Sequence, residues 1–402
     1  MRIEIPKQVE WILERLRAQG YEAFAVGGCV RDTLLGREPG DWDITTSARP
    51  EQVKAVFGHT IDTGLKHGTV TVMRDHVGYE ITTYRIDGEY EDGRHPKEVS
   101  FTGDLREDLR RRDFTINAMA YSHETGIVDV FGGMEDLKSG TLRCVGNAME
   151  RFTEDALRIL RAVRFSAQLN FRIEEETWQA LYQIAPNLAQ VSKERIQVEL
   201  TKTLLSDHPE RIFMVEETGM SPFLCDSFPE AIRGAAGRKE QLLRASSLPA
   251  EKSLRFAAFL SGGGERLAGK VLKELKLDNE TISRVKLLTG LFDRELEEEE
   301  TSLRRLMSPL EAELFDGLLL LRRTLKPEEE ELIGRIDRVA AAIRSRGDCI
   351  RLKDLAVTGR DLMAAGIQPG PQLGKQLNRL LQHVLAAPQD NQKELLLALI
   401  EK

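Results

Sequence analysis

The period of the hydrophobic pattern changes once along this chain, near Val145, and the change limits the folds that the chain can adopt. Before Val145, runs with strand-like alternation lie between short amphipathic segments; after it, the pattern is helical almost to the end. We therefore predict an α+β protein, with a small mixed or antiparallel sheet and helices in an N-terminal head, followed by an all-helical remainder. Strands are predicted at about 22–27, 41–46, 68–73 and 78–85, and head helices at 3–19, 29–36, 50–57 and 104–121. The strand at 41–46 is predicted to be central.

Length and composition exclude some classes of protein. With 402 residues the chain exceeds one typical core, so two to four domains are expected, and no apolar run approaches the roughly 20 residues that span a bilayer. The four cysteines lack metal-ligand spacing, as expected of reduced thiols in a cytoplasmic protein. The net charge of −8 argues only weakly against a nucleic-acid partner, because the acidic runs at 297–300 and 328–331 supply eight negative charges.

A glycine pair and a carboxylate pair follow the first predicted strand closely. Gly27 and Gly28 end an apolar run and would let backbone N–H groups approach a triphosphate. On the predicted strand, Asp41 and Asp43 would project from one face, where two carboxylates favour bound cations such as Mg²⁺. Such a pair suits metal-dependent nucleotidyl transfer, whereas alone it would also fit a capping or turn pair.

Two further side chains of the predicted head are candidates for the same site. Glu80 lies on a later predicted strand and is a candidate third carboxylate for the metal, although an ordinary exposed glutamate explains it as well. Arg31 is a candidate phosphate contact, with a surface salt bridge as the alternative.

A second constellation follows near residue 111. Arg111 and Arg112 are predicted to precede an apolar helix, where two guanidiniums can orient a triphosphate. Asn117, about one turn later, could hold a ribose hydroxyl or orient a metal ligand. The alternative is a basic solvated helix face.

A third constellation begins the helical region. Spacings of three place Asp155, Arg158 and Arg161 on one predicted helix face, next to Glu154. A carboxylate beside a guanidinium offers acceptors and donors that could match the edge of a base. The alternative is an ordinary i,i+3 salt bridge, worth only tenths of a kcal/mol.

The segment 87–103 is polar and has no periodicity. It is longer than most connections within a domain, so we predict a mobile functional loop.

Together these motifs resemble those of the class II tRNA nucleotidyltransferases, the bacterial-type CCA-adding enzymes and their poly(A) polymerase relatives in the polymerase β-like superfamily. The resemblance runs from about residue 20 to 205, and the segment 359–374 is similar to the tail of the Gram-positive-type enzymes. Residues 210–350 match only as a helical region. The family implies a seahorse-shaped arrangement: a nucleotidyltransferase head at 1–145, a neck at 146–208, a body at 209–305 and a tRNA-binding tail at 306–402.

The resemblance also implies roles for the matching residues. Asp41 and Asp43 would bind two catalytic Mg²⁺ ions, while the arginine pair and Asn117 would contact the phosphates and sugar of CTP or ATP. Asp155 and Arg158 would select the base, with Glu154 holding them in place. The loop residues implied in the switch to A addition are Asp92, Gly93 and Arg94.

The implied reaction adds C, C and A to the tRNA 3′ end without a nucleic-acid template. Rival readings are an A-only or CC-only enzyme, a poly(A) polymerase, and an inactive RNA-binding module. The intact loop argues against a CC-only enzyme, and the sequence pI of about 5.6 argues against a poly(A) polymerase. The presence of both aspartates and both arginines argues against an inactive module.

Overall fold

The computed structural model describes residues 2–88 and 99–400. Contacts divide the chain into two compact units: one comprises Met1–Ile232 with Lys273–Leu277, and the other comprises Arg233–Leu272 with Asp278–Lys402. The four-part division into head, neck, body and tail remains a prediction.

The first unit is built around a seven-stranded mixed sheet in the order β3-β4-β5-β2-β1-β8-β9. Strand β2 pairs antiparallel with β1 and parallel with β5, and all the other pairs in this sheet are antiparallel. Two small sheets, β6-β7 and β10-β11, complete the described strands. The strands are β1 (Ala23–Val26), β2 (Ile44–Thr46), β3 (Thr60–Gly64), β4 (Thr69–Arg74), β5 (Val77–Thr83), β6 (Arg85–Asp87), β7 (Val99–Phe101), β8 (Met119–Ser122), β9 (Gly126–Asp129), β10 (Thr141–Leu142) and β11 (Arg172–Ile173).

The described helices are short before residue 140 and form almost all the regular structure after it. They are α1 (Lys7–Ala18), α2 (Gly28–Leu34), α3 (Pro50–Val56), α4 (Leu105–Arg110), α5 (Gly133–Ser139), α6 (Ala148–Glu154), α7 (Leu157–Leu169), α8 (Glu175–Ile184), α9 (Lys193–Leu204), α10 (Met214–Glu217), α11 (Ser221–Leu224), α12 (Phe228–Ala236), α13 (Lys239–Arg244), α14 (Lys252–Leu260), α15 (Gly264–Glu274), α16 (Asn279–Phe292), α17 (Glu300–Met307), α18 (Ala312–Leu325), α19 (Glu330–Arg346), α20 (Gly359–Ala364), α21 (Pro371–Ala386) and α22 (Lys393–Ala398).

The predicted fold class is confirmed, and β2 occupies the centre of the sheet as predicted. All four side chains of β1 are buried, so neither face of this strand is exposed to solvent. The strands predicted at 68–73 and 78–85 are β4 and β5, which pair antiparallel with Thr69 opposite Thr82. The helix predicted at 3–19 is α1, which buries an apolar stripe of Val9, Ile12, Leu13 and Leu16.

The predicted helix at 104–121 is wrong in its second half. Helix α4 ends at Arg110, a 3₁₀ turn covers Thr115–Asn117, and β8 follows. The arginine pair therefore precedes a turn and a buried strand rather than an apolar helix. A short, continuously apolar segment has no period that separates strand from helix, and pairing with β1 decides between them here.

The second unit consists of helices. One of its cores lies among the last helices, where buried residues include Leu362, Leu380 and Val384. Among the described residues, no helix is long and apolar enough to cross a membrane.

Candidate active site

The two aspartates of the predicted metal pair lie just before the central strand and not within it. Strand β2 begins at Ile44, so alternation along a strand does not explain how Asp41 and Asp43 are placed. Strand β1 ends at Val26, and the pairing of β2 with β5 begins only at Ile44 and Ile81, although β5 itself starts four residues earlier, at Val77. Asp43 still joins the edge of this ladder, since its carbonyl oxygen accepts a hydrogen bond of 3.0 Å from the N–H of Val26.

Glu80 lies on the parallel neighbour of β2, as the prediction required. Ile44 pairs with Ile81, so Asp43 and Glu80 each stand one residue before the paired positions. The two carboxylates consequently lie at neighbouring register positions, Asp43 just before β2 and Glu80 in the middle of β5.

The electrostatics of Asp43 show that these carboxylates act on one another. Burial raises the pKa of the Asp43 carboxyl; the charge of Arg112 lowers it, and the charges of Asp41 and Glu80 raise it further. A divalent cation would relieve this repulsion, and carboxylate oxygens are the donors that Mg²⁺ prefers. Asp41 and Asp43 therefore fit a metal by charge and donor type. No set of three or more His, Cys, Asp or Glu side chains in the described ranges is arranged as a metal site, so Glu80 as a ligand stays a prediction.

The first glycine of the pair connects β1 to α2 and supports an arginine. Gly27 has φ +83°, and a Cβ atom there would lie 2.6 Å from Nη1 of Arg112. Its missing side chain thus admits both the left-handed turn and the guanidinium. Gly28 is the first residue of α2, and an added Cβ would meet only Arg31 Nη2, at 3.8 Å.

The two arginines of the predicted triphosphate pair differ in how well their guanidinium N–H groups are hydrogen-bonded. Arg111 donates to Oδ1 of Asp108 from Nε at 3.0 Å and from Nη2 at 2.8 Å. Arg112 has a longer ion pair, with Nη2 3.9 Å from Oδ2 of Asp108, and its buried Nε has no hydrogen-bond partner in the described structure. Burial lowers the pKa of Arg112, against the charges of Asp108 and Asp43 that raise it. An unsatisfied buried donor next to Asp43 marks a place for an anion.

Asn117 and Arg31 are brought to the same part of the head, but their polar groups bind each other. Arg31 donates from Nη1 to Oδ1 of Asn117 at 2.6 Å, and Nδ2 of Asn117 donates to Oδ1 of Asp113 at 3.1 Å. Arg31 also donates to both oxygens of Asp32 from Nε and Nη2, at 2.8 and 2.9 Å. The surface alternative for Arg31 does not hold, because its side chain is buried.

Arg161, on α7, binds the same Asp113. Its Nε donates to Oδ2 of Asp113 at 2.7 Å, and the ion pair with Nη2 is 2.6 Å. Although burial alone would raise it, the pKa of Asp113 lies well below its usual range because of the charge of Arg161, the hydrogen bond from Asn117 and the charge of Arg158. Arg31, Asn117, Asp113 and Arg161 are hereafter called the Asp113 network.

The ring of Phe165 lies against both arginines of this network and against Arg164. The guanidinium carbons of Arg31, Arg161 and Arg164 lie 4.9, 5.3 and 4.1 Å from its centroid. Cation–π attraction of this kind orders guanidiniums without using their N–H donors.

The predicted base-selecting residues do not lie on one helix face. Helix α6 ends at Glu154 and α7 begins at Leu157, so Asp155 occupies the break between two helices. Asp155 accepts hydrogen bonds from the N–H of Leu157 at 3.1 Å and from Nη2 of Arg195 at 2.7 Å. The proposed Asp155–Arg158 salt bridge is therefore replaced by one to Arg195, on α9.

Arg158 is fixed by three acceptors. Its Nη1 donates to Oε2 of Glu154 at 2.8 Å and to the carbonyl of Arg151 at 3.0 Å, and its Nη2 donates to the carbonyl of Arg111 at 3.0 Å. Glu154 is itself held by an ion pair with Arg151. The contact with Arg111 places Arg158 beside the phosphate-binding candidates.

Sequence reasoning missed three residues that organise the site: Asp108, Asp113 and Arg195. Asp113 directly follows the arginine pair and Asp108 lies three residues before it. Each of the three residues nevertheless has a partner that is distant along the chain: Thr45 for Asp108, Arg161 for Asp113 and Asp155 for Arg195. The predicted loop residues Asp92, Gly93 and Arg94 lie outside the described residues. The flanking strands β6 and β7 pair Asp87 with Val99.

Three family models match successive parts of the chain. A poly A polymerase head domain matches residues 23–143, a probable RNA and SrmB-binding site of polymerase A matches 170–230, and a putative domain 2 of tRNA nucleotidyltransferase matches 251–400.

Whole-chain relatives carry one name. A CCA-adding enzyme of Levilactobacillus brevis is 38% identical, with 100% of both chains covered, and one of Enterococcus faecalis is 37% identical over 98% of this chain and 96% of its own. The crystal structure of the Bacillus stearothermophilus CCA-adding enzyme in complex with CTP superposes with a TM-score of 0.81 at 34% identity, covering 98% of this chain and 97% of that one. A Thermotoga maritima CCA-adding enzyme complexed with tRNA has a TM-score of 0.62 at 21% identity, over 98% of each chain, and shares the fold.

Proposed function

The chain belongs to the family of CCA-adding enzymes and is a tRNA nucleotidyltransferase that adds C, C and A to the tRNA 3′ end, and we propose that separate groups of its residues bind the metal, the triphosphate and the base. One observation carries this assignment. The buried Arg112, whose Nε has no partner in the described structure, interacts with the charge of Asp43, and Asp43 in turn is affected by the charges of Asp41 and Glu80. A metal-bound triphosphate needs both parts of this arrangement, anionic ligands for cations and a free cationic donor for phosphate oxygens.

Asp41 and Asp43 hold two Mg²⁺ ions in this proposal, with Glu80 as a third carboxylate. Bound Mg²⁺ supplies a Lewis acid for the attacking 3′-hydroxyl and neutralises the triphosphate during in-line displacement. The raised pKa of Asp43 supports this role, because a bound cation would balance the negative charge of its carboxylate. The attacking group is the terminal hydroxyl of the tRNA, its target is the α-phosphate of CTP or ATP, and pyrophosphate leaves.

The nucleotide phosphates bind to Arg111 and Arg112, near the backbone of Gly27 and Gly28. Arg112 rests on the Cβ-free surface of Gly27, which supports this assignment. For Arg31, Asn117 and Arg161 we propose that they hold the nucleotide-binding region in shape and do not contact phosphate directly. Their hydrogen bonds join them to one another within the Asp113 network.

Asp155 and Arg158 select the base. Arg158 is oriented by Glu154 and two carbonyls, and Asp155 is oriented by Arg195. The hydrogen-bond donors of the guanidinium and the acceptors of the carboxylate therefore point in fixed directions. A site with fixed donors and acceptors rejects the wrong base because that base would leave them unpaired. The nucleotides proposed are CTP and ATP; the similar B. stearothermophilus enzyme was crystallised with CTP.

The helical tail at 306–402 is proposed to bind the tRNA elbow through shape and phosphate contacts, while the 3′ acceptor end is the substrate of the head. Asp92, Gly93 and Arg94 are proposed to act in the switch to A addition. A cytoplasmic location suits the four free cysteines.

Incorporation assays with two substrates test this function. The purified chain is incubated with Mg²⁺ and all four NTPs, once with tRNA lacking CCA and once with tRNA ending in CC. We expect two CMP and one AMP on the first substrate and one AMP on the second. No CMP on the first substrate would overturn full CCA addition and leave an A-only enzyme, and a long A tail would identify a poly(A) polymerase.

A further inference from the structure

Asp108 is a fully buried carboxylate in helix α4, where neighbouring charges are exposed. Its side chain is 0% accessible, whereas Glu107, one residue earlier, pairs with the exposed Arg110 at 3.3 Å. A buried carboxylate must be compensated by hydrogen bonds and opposite charge, or its burial is strongly unfavourable. The compensating partners of Asp108 therefore reveal its role.

Those partners belong to the arginine pair and to the strand that follows the metal-binding aspartates. Oδ1 accepts two hydrogen bonds from Arg111, at 3.0 and 2.8 Å, while Oδ2 lies 3.9 Å from Nη2 of Arg112. Oδ2 also accepts a hydrogen bond of 3.0 Å from Oγ1 of Thr45. Thr45 is on β2, two residues after Asp43, so Asp108 ties the arginine pair to the strand that follows the metal-binding aspartates.

Two adjacent guanidiniums repel each other and would separate without an anion between them. Before a triphosphate binds, Asp108 supplies that anion from the protein side. Its geometry favours Arg111, whose two donors share one oxygen, whereas the buried Nε of Arg112 has no hydrogen-bond partner in the described structure. An arginine oriented in advance loses less conformational freedom when it binds phosphate.

We propose that Asp108 is a positioning residue for the triphosphate, which holds Arg111 and Arg112 in register with β2 and acts through them without touching the nucleotide. The proposal rests on the function proposed above. It predicts a loss that is equal for CTP and ATP, since both carry the same triphosphate, and that leaves base choice unchanged.

The test compares Asp108→Asn with Glu107→Gln, a matched loss of one carboxylate charge on the same helix. Initial rates are measured against CTP with tRNA lacking CCA, and against ATP with tRNA ending in CC. For Asp108→Asn we expect KM to rise about tenfold for both nucleotides, with kcat changed less and the discrimination between CTP and UTP unchanged. Glu107→Gln should leave all of these values at those of the wild type.

A purely structural Asp108 predicts a different result. Loss of folded protein lowers the melting temperature and the active fraction, so kcat falls while KM stays constant; this result would overturn the proposal. If Asp108→Asn does not fold, Thr45→Val removes one hydrogen bond from the opposite side and must still raise KM for both nucleotides about threefold. An unchanged KM in Thr45→Val then overturns the proposal.

A double-mutant cycle shows whether Asp108 acts through Arg111. Asp108→Asn and Arg111→Lys should have effects on KM that combine to less than their product; full multiplicativity contradicts the proposal. The wild type is measured first. If it incorporates neither CMP nor AMP, the proposed function fails, whereas a wild-type rate with unaltered KM in the variants rejects only the role of Asp108.

Discussion

Two groups of polar residues lie close together in the first unit and both combine carboxylates with arginine, but only one of them has its hydrogen-bonding groups and charges matched within the protein. In the Asp113 network, Asp113 is matched by Arg161 and Asn117, and Asn117 is matched in turn by Arg31. In the group of Asp41, Asp43, Glu80 and Arg112, like charges raise the pKa of Asp43 and a buried guanidinium nitrogen lacks a partner. The saturated group is built to hold a shape, and the unsaturated group is built to receive ligands.

The difference changes how single substitutions should act. Removing a carboxylate of the unsaturated group relieves repulsion in the free protein and should cost little stability, while the chemistry is impaired. Removing a member of the Asp113 network leaves a buried charge without a partner and should cost stability first. Each prediction below tests one side of this contrast.

The largest effect is expected at the metal-binding aspartates. Asp41→Ala and Asp43→Ala should each lower the rate of CMP incorporation at least a thousandfold, because the oxygen ligands are lost, while the dissociation constant for tRNA stays within about threefold. Rates and filter-binding constants are measured side by side, with Asp62→Ala, which breaks the exposed pair with Lys54, as the control. Activity retained in both variants would refute the metal assignment.

Asp113→Asn should act on stability rather than directly on chemistry. The variant keeps the size of the side chain but leaves Arg161 without its counter-charge, so we expect the free energy of unfolding to fall by about 3 kcal/mol, within the range for broken buried pairs. Urea unfolding followed by circular dichroism measures it. Glu199→Gln provides a comparison, as Glu199 forms another buried pair, with Arg164 at 3.0 Å. A change below 0.5 kcal/mol would show that the network is not saturated in solution.

The pH dependence of the same variant tests the cause. The folded pKa of Asp113 is depressed, so its contribution to stability is fully present above the unfolded pKa of about 3.9 and is lost as the pH falls toward the folded value. The difference in unfolding free energy between wild type and Asp113→Asn should therefore be constant from about pH 7 to pH 5 and shrink below about pH 4. A difference that grows with acidity contradicts the assigned direction.

Arg158→Ala should relax base choice more than it weakens triphosphate binding. The ratio of kcat/KM for CTP over UTP is expected to fall roughly tenfold to a hundredfold, while KM for CTP changes less than about fivefold. Arg164→Lys serves as the control, since Arg164 pairs with Glu199 and lies on Phe165, and should leave the ratio unchanged. Unaltered discrimination among the four NTPs would contradict the role of Arg158.

The sequence predicted those parts of the site that depend on residues close together in the chain. The glycine turn after β1 and the central place of β2 follow from local glycines and from alternation, and both were predicted correctly. The strand β8 was missed because all four of its side chains, Met119–Ser122, are buried, so no alternation of buried and exposed residues marks it as a strand. Asp113 and Arg161 are 48 residues apart, and Asp155 and Arg195 are 40 apart, so no local pattern reveals either pair.

The misplaced helix boundary at Asp155 has the same origin. Spacings of three along the chain assumed an uninterrupted helix, but Asp155 has φ −142° and ends α6. Its carboxylate then caps the N–H of Leu157 and reaches α9, a contact that only tertiary packing determines. The ion pair between Glu154 and Arg158, at i,i+4, still forms across the break between the two helices.

The smallest effect is expected for Glu80→Gln, which tests where the unsaturated group ends. Glu80 is exposed on β5 and reaches Asp43 through its charge, so its loss should weaken cation binding without removing a principal ligand. We expect the Mg²⁺ concentration that gives half the maximal rate to rise threefold to tenfold, with the maximal rate nearly restored at saturating Mg²⁺. Thr71→Val, at the position paired with Glu80 on β4, controls for disturbance of the strand. A Mg²⁺ requirement equal to that of the wild type would confine the unsaturated group to the two aspartates and Arg112, because a carboxylate that contributes to cation binding must alter the concentration at which the cation binds.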